Sequence, residues 1–204
     1  NDGNYRCPNS QQGYSPFTTW TRGLAWAILG FSEQLELIQS GVLSQSDNRQ
    51  LKENAEELML KAAKASSDFY MNNSPADGIP YWDTGAPGLS KMSSYLNRDA
   101  DPFNEHEPVD SSAAAIAAQG FLRLSRYLQY KGENDKSKKY LKYGLKISRN
   151  LFSSPYISSD ENHQGLILHA VYHRPNGWDH IPEGKKIPFG ESCMWGDYHA
   201  LELA

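Results

Sequence analysis

Hydrophobic and polar positions along the chain follow a helical period almost throughout, and the strict alternation of a half-buried strand is nearly absent. Five segments carry the period, and they are of two kinds. The first kind is apolar or small on every side: about Thr21 to Ile38, the run SSAAAIAAQGFLRLSRYL after Asp110, and CMWGDYHALELA from near Ser192. Helices apolar all round are predicted to be buried all round. Asp110 or Ser111 is placed to cap the second of them by accepting from its free N–H groups. The second kind is amphipathic. In LKENAEELMLKAAKASSDFY the apolar positions Leu51, Ala55, Leu58, Met59, Ala62 and Phe69 fall on one face. In DKSKKYLKYGLKISRNLF, Tyr140, Leu141, Gly144, Ile147 and Leu151 do the same against a lysine-rich outer face.

The order is therefore buried, amphipathic, buried, amphipathic, buried. Inner and outer helices that alternate in this way imply an all-α chain, either an α/α toroid or an α-solenoid. The lack of a residue-level repeat favours the toroid. Inner-to-outer links, SGVLSQSDN and QYKGENDK, are short and polar; outer-to-inner links, Asn72 to Pro108 and Ser153 to Glu191, are long. Long structured loops are usually functional. Both lead into N-termini of inner helices, so they gather on the face that carries the positive ends of those helix dipoles. A concave site for a negatively charged ligand is expected there.

Charge and composition narrow the classes of partner. The net charge is −4, whereas a nucleic-acid binder would show a basic stripe, so no nucleic acid is expected. No apolar run reaches the length of about 18 residues that a membrane span needs, so no membrane is expected either. Aromatic residues make up 12%, with five Trp and twelve Tyr, which suits either a rich core or a sugar-binding cleft built from flat apolar faces. Cys7 and Cys193 lie at opposite ends and either pair or remain thiols. The opening string Asn1-Asp2-Gly3-Asn4 is turn-like and carries no initiator Met or signal peptide. The expectation is a chain that starts inside a longer gene product.

Five strings, in order, carry a resemblance. TTWTRGLAW resembles the W-x-R-G-Q-A-W helix start of the unsaturated glucuronyl hydrolases, family 88 of the glycoside hydrolases. DGIPYWDTGAPG is similar to their DGIPYWDFDAP loop, and VDSSAAAIAAQGFLRLSRY to their RDASAAAIAASGLLELSKY inner helix. QGLILHAVYHRP and ESCMWGDYHALELA are similar to their C-terminal loop and last helix. The resemblance covers essentially the whole of residues 1–204. It implies one partial α/α-barrel domain of the six-hairpin type, equivalent to the C-terminal half, with an N-terminal half of the barrel expected in the full-length protein. It also implies a hydrolase that releases an unsaturated uronic acid from lyase-generated oligosaccharides. In that reaction an aspartic acid protonates C4 of the C4=C5 enol ether, and the same carboxylate activates the water that adds at C5. The hemiketal then collapses and the ring opens. This is general acid–base catalysis by hydration rather than displacement, and it requires no cofactor or metal. The family's two catalytic aspartates lie upstream of the W-x-R-G motif and have no counterpart here. Two alternatives stay open: the related unsaturated rhamnogalacturonyl hydrolases, and a non-catalytic helical sugar-binding or scaffold module.

The substrate-binding candidates are Gln12, Arg22, Trp26, Tyr172, His173 and Ser192. Arg22 stands in the first turn of an inner helix, and its planar fork of donors matches a carboxylate or a sulfate. The other reading of Arg22 is an ion pair with an acidic loop residue. Trp26, one turn along, and Trp20 either wall the site or fill the core. By the resemblance, Gln12 contacts substrate, and Tyr172 and His173 in VYHRP belong to a loop that closes over the sugar. Ser192 either helps bind an anion or caps the last helix. Leu24 replaces the family's usual glutamine. Trp82 and Asp83 are motif residues, with Asp83 expected to tie down its loop. The acidic run with Asp99, Asp101, Glu105, His106 and Glu107 lacks EF-hand and HExxH spacing, so no metal is expected.

Overall fold

The computed structural model describes residues 10–41 and 49–204. Cys7 and the opening turn-like string lie outside the described residues. Among the described residues five α-helices form: α1 (Thr21–Gln39), α2 (Arg49–Asn73), α3 (Ser111–Tyr130), α4 (Asn134–Leu151) and α5 (Met194–Leu203). Among the described residues there is no strand, only isolated antiparallel bridges such as Trp20 to Asp83 and Tyr81 to Val109. α1 packs on α2 and α3, and α3 packs in turn on α4 and α5. The inner layer is thus α1, α3 and α5, and the outer layer is α2 and α4, as the alternation of the two sequence patterns predicts.

α3 is the centre of the layer. Every residue from Ser111 to Phe121 is buried, followed by Leu124, Ser125, Tyr127 and Leu128. Its alanines and Gly120 let α1 come close, so a Cβ at Gly120 would lie 2.7 Å from Ile28 Cγ2 and 2.8 Å from the Leu29 nitrogen. On the other side Phe121 meets Tyr70 of α2 (5.6 Å, edge-on) and Tyr143 of α4 (5.0 Å). These are the ring separations at which aromatic pairs attract beyond their buried area.

Three expectations about faces are corrected. In α2 the buried positions are Ala63, Ser67 and Tyr70, while Leu51, Leu58 and Phe69 are exposed. The Tyr70 ring fills the space against Phe121 of α3, so the stripe with Ala63 and Ser67 turns inward and Leu51, Leu58 and Phe69 face outward. In α4, Tyr143 is buried in place of the expected Leu141. α5 is not covered on every side, since Met194, Tyr198 and Leu201 are exposed. Trp26 and Leu37 of α1 are partly open as well. α1 and α5 flank α3 and have no further inner helix beyond them among the described residues.

The long loops, residues 74–110 and 152–193, lie over the N-terminal ends of α1 and α3. The Thr21 N–H donates to the Trp82 carbonyl (3.1 Å), and the Thr21 hydroxyl donates to the Tyr81 carbonyl (2.8 Å). At α3 the Ser111 N–H donates to the His169 carbonyl (3.1 Å), and Asp110 caps the helix by accepting from Ser112 and Ala113. The positive ends of these two helices are therefore answered by loop carbonyls and by the protein's own carboxylate.

Candidate functional site

Gln12, Arg22, Trp26, Tyr172 and His173 converge on one cleft of about 420 Å³, where Gln11, Trp20, Trp178 and Trp195 complete the wall. α1 supplies Arg22 and Trp26, α5 supplies Trp195, and the loops on either side supply the rest. Trp178 and Trp195 were not singled out from the sequence. Trp195 lies within a string that was, ESCMWGDYHALELA, whereas Trp178 lies three residues beyond the end of QGLILHAVYHRP, where only its place in the long loop could point to it.

Arg22 organises the cleft. It is 3% exposed, and four of its five N–H donors meet protein acceptors. Nη1 donates to Asp110 Oδ2 (3.1 Å) and to the Val171 carbonyl, and Nη2 donates to Gln12 Oε1 (2.9 Å) and to the Tyr172 carbonyl (2.8 Å). The open bidentate fork expected for a ligand carboxylate is thus already engaged, and the ion-pair alternative is realised with Asp110, itself fully buried. Only the Nε–H has no protein partner among the described residues. The guanidinium also lies between two indoles, with Cζ 5.0 Å from the ring centres of both Trp20 and Trp195, a separation at which cation–π attraction operates. The planes continue outward. Tyr172 stacks on Trp195 (5.4 Å, 25°) and Trp178 stacks on Tyr172 (5.7 Å, 29°).

This arrangement fixes the orientation of two further groups. Because Gln12 Oε1 accepts from Arg22, its amide NH2 is left for the cleft that it lines. Because His173 Nδ1 accepts from the Asn176 N–H (3.4 Å), the ring proton of the neutral imidazole sits on Nε2. That atom is buried without a protein partner. The cleft therefore offers the Gln12 NH2 beside aromatic faces, His173 and Arg22 line it as well, and the charge of Arg22 is balanced by Asp110.

Ser192 lies elsewhere, in a neighbouring cleft of about 540 Å³ with His163, His180, Glu191 and others. Its hydroxyl donates to the Ile167 carbonyl (2.6 Å) and contacts His163 Nε2 (2.8 Å). It is not the N-cap of α5, a position that Cys193 takes. Burial pushes the Cys193 thiol up to about 12, so it stays protonated and unreactive at neutral pH. Asp83 ties its loop, accepting from the Tyr14 N–H (2.9 Å) and the Gly85 N–H (2.9 Å). Glu107 accepts from Trp82 Nε1 (2.7 Å) and from the Gly88 N–H (2.7 Å).

Each long loop has a titratable staple. His169 accepts from the Gly190 N–H at Nδ1 (3.0 Å) and donates from Nε2 to the Pro155 carbonyl (3.2 Å), and burial pushes it from 6.5 down to about 4. Asp77 accepts from the Ile79 N–H (3.1 Å), and burial pushes it from 3.8 up to about 6. The two act in opposite directions. The contribution of His169 is complete above pH 6.5 and is lost as pH falls towards 4, because the unfolded chain then holds the extra proton. The contribution of Asp77 is complete below pH 3.8 and is lost as pH rises towards 6. Melting temperatures measured across this window will therefore fall more steeply on acidification in Asp77→Asn than in the parent protein. Parallel curves would refute the assignment.

No protein-family model matches the chain. An unsaturated glucuronyl hydrolase of Formosa agariphila is 29% identical over 196 residues, 95% of this chain and 38% of that protein. Among solved structures, the unsaturated glucuronyl hydrolase of Bacillus sp. GL1, described as responsible for the degradation of glycosaminoglycan, aligns with a TM-score of 0.63 and 26% identity. That alignment covers 95% of this chain and 40% of the other. A variant of the Streptococcus agalactiae unsaturated glucuronyl hydrolase, complexed with dGlcA-GalNAc6S, gives 0.62 and 25%, with coverages of 99% and 42%. The chain spans about two fifths of the length of the relatives that it matches. Over nearly its whole length it is similar, in sequence and in its helical fold, to part of the unsaturated glucuronyl hydrolases.

Proposed function

We propose that this chain forms the substrate-binding part of an enzyme that releases an unsaturated uronic acid from lyase-generated oligosaccharides. The catalytic aspartates and the N-terminal half of the barrel lie, in this reading, outside the chain. The observation that carries it is the cleft itself, where Gln12, Arg22 and His173 stand among tryptophans and the acceptor bond of Gln12 to Arg22 leaves its NH2 for a ligand. Aromatic faces suit a sugar ring, and the NH2 of Gln12 suits a carboxylate, which can only accept. The sugar bound to the S. agalactiae relative, which carries an unsaturated glucuronyl residue, supports the same reading.

In this reading the chain positions the sugar rather than transferring protons. The uronate oxygens accept from the Gln12 NH2 and the His173 Nε2–H, and the enol ether is thereby presented to an acid supplied from elsewhere in the protein. The test is to incubate the full-length protein with an unsaturated glucuronyl disaccharide and follow the near-ultraviolet absorbance of its C4=C5 bond. The expected result is loss of absorbance. Gln12→Ala should weaken kcat/KM by roughly 10- to 150-fold, the equivalent of one hydrogen bond to a charged group. An intact protein that leaves unsaturated uronides untouched would overturn the proposal.

A further inference from the structure

We propose that Asp179 is the positioning residue of the cleft, holding the peptide groups of Tyr172 and His173 so that both side chains meet the sugar. This inference rests on the sugar-site reading above. Asp179 is only 8% exposed. Its Oδ1 accepts from the Tyr172 N–H, and its Oδ2 accepts from the His173 N–H (3.2 Å). The carboxylate thereby closes residues 172–179 into a ring, with the chain turning at Gly177, where φ is +65°.

The start of the ring is gripped from the other side. Asp110 Oδ1 accepts from the Val171 N–H (3.4 Å), and Arg22 donates to the carbonyls of Val171 and Tyr172. Those contacts anchor the ring to α1 and α3, whereas Asp179 sets its shape. Without the carboxylate, two adjacent N–H groups lose their acceptor. Tyr172 is then free to leave its place between Trp195 and Trp178, and the unpartnered His173 Nε2 loses its aim. Asp179 touches no substrate in this scheme and acts only through its neighbours.

The substitution Asp179→Asn keeps the size but sets an NH2 against one of the two N–H groups. In the full-length protein, acting on an unsaturated glucuronyl disaccharide, it should raise KM by about tenfold or more, the penalty of a misplaced binding group, with kcat close to the parent value. Asp179→Glu should recover part of the loss. The second readout needs no sugar: the imidazole 1H–15N signals of His173 should shift and broaden in Asp179→Asn. If that variant does not fold, the same signals are read in Asp179→Glu. Unchanged imidazole signals, or a fall in kcat with KM unaltered, would overturn the proposal. Shifted signals in a protein whose parent form consumes no unsaturated uronide would leave the role of Asp179 standing and reject the proposed function instead.

Discussion

Replacing Arg22 with alanine will lower the melting temperature of the protein by about 10 °C. The guanidinium satisfies Asp110, two loop carbonyls and Gln12 at once. Its removal leaves a fully buried carboxylate without its cation, a loss worth roughly 3–5 kcal/mol. For a domain of this size each kcal/mol corresponds to roughly 2–4 °C. Asp110 keeps its contacts with Ser112 and Ala113, so α3 remains capped while the loop at Val171 and Tyr172 comes free. Asp110→Asn made together with Arg22→Met should cost less than the sum of the two single changes, because neither variant partner then carries an unpaired charge. Arg22→Ala melting within a degree or two of the parent would show that the guanidinium does not hold the structure together.

The second large effect is a pair of identical substitutions with opposite signs. Gly120→Ala on α3 places a methyl 2.8 Å from the Leu29 nitrogen and 2.9 Å from the Ile28 carbonyl carbon. Backbone atoms cannot rotate away, so α1 and α3 must separate, at a cost of about 1–3 kcal/mol. At Gly30 on α1 nothing lies within 4 Å of the added Cβ. There the same change should stabilise by up to about 1 kcal/mol through helix propensity alone. Chemical denaturation of both variants decides the matter. If Gly120→Ala proves neutral, the close approach of the inner helices is not as tight as described.

The inner helices were legible from the chain because burial on all sides leaves an unmistakable pattern. Ser111 to Phe121 reads as small or apolar except at Gln119, and it is buried without a break, the Gln119 amide donating to the His199 carbonyl. The amphipathic helices were legible in extent but not in facing. α2 carries one stripe through Leu51, Leu58 and Phe69 and another through Ala63, Ser67 and Tyr70, and hydrophobicity favours the first. The partner decides otherwise, since Tyr70 finds Phe121 of α3, 51 residues along the chain, and carries its stripe inward. α5 was read as covered because its residues are apolar, yet Met194 and Leu201 are exposed. Composition records that a face is apolar and not whether a neighbour covers it.

In the cleft, convergence of Gln12, Arg22, Trp26, Tyr172 and His173 matches the grouping of the motifs. Which groups stay free within it was not legible. Asp110 is 88 residues from Arg22, so no local spacing could show that the fork was taken. The direction of the Gln12 amide and the tautomer of His173 follow from that same long-range pairing and from a turn at Asn176.

The column of planes running from Trp20 through Arg22, Trp195 and Tyr172 to Trp178 gives the cleft an optical readout of its own. Indole emission depends on the polarity around the ring, and the outermost indole is 60% exposed while the inner two flank a cation. A molecule that settles over Trp178 displaces water from it and moves its emission to shorter wavelength, whereas one that disturbs Tyr172 alters the transfer of excitation from phenol to indole. Saturated sugars, which carry no chromophore and undergo no turnover, can therefore be titrated against the unlabelled protein by the colour of its fluorescence.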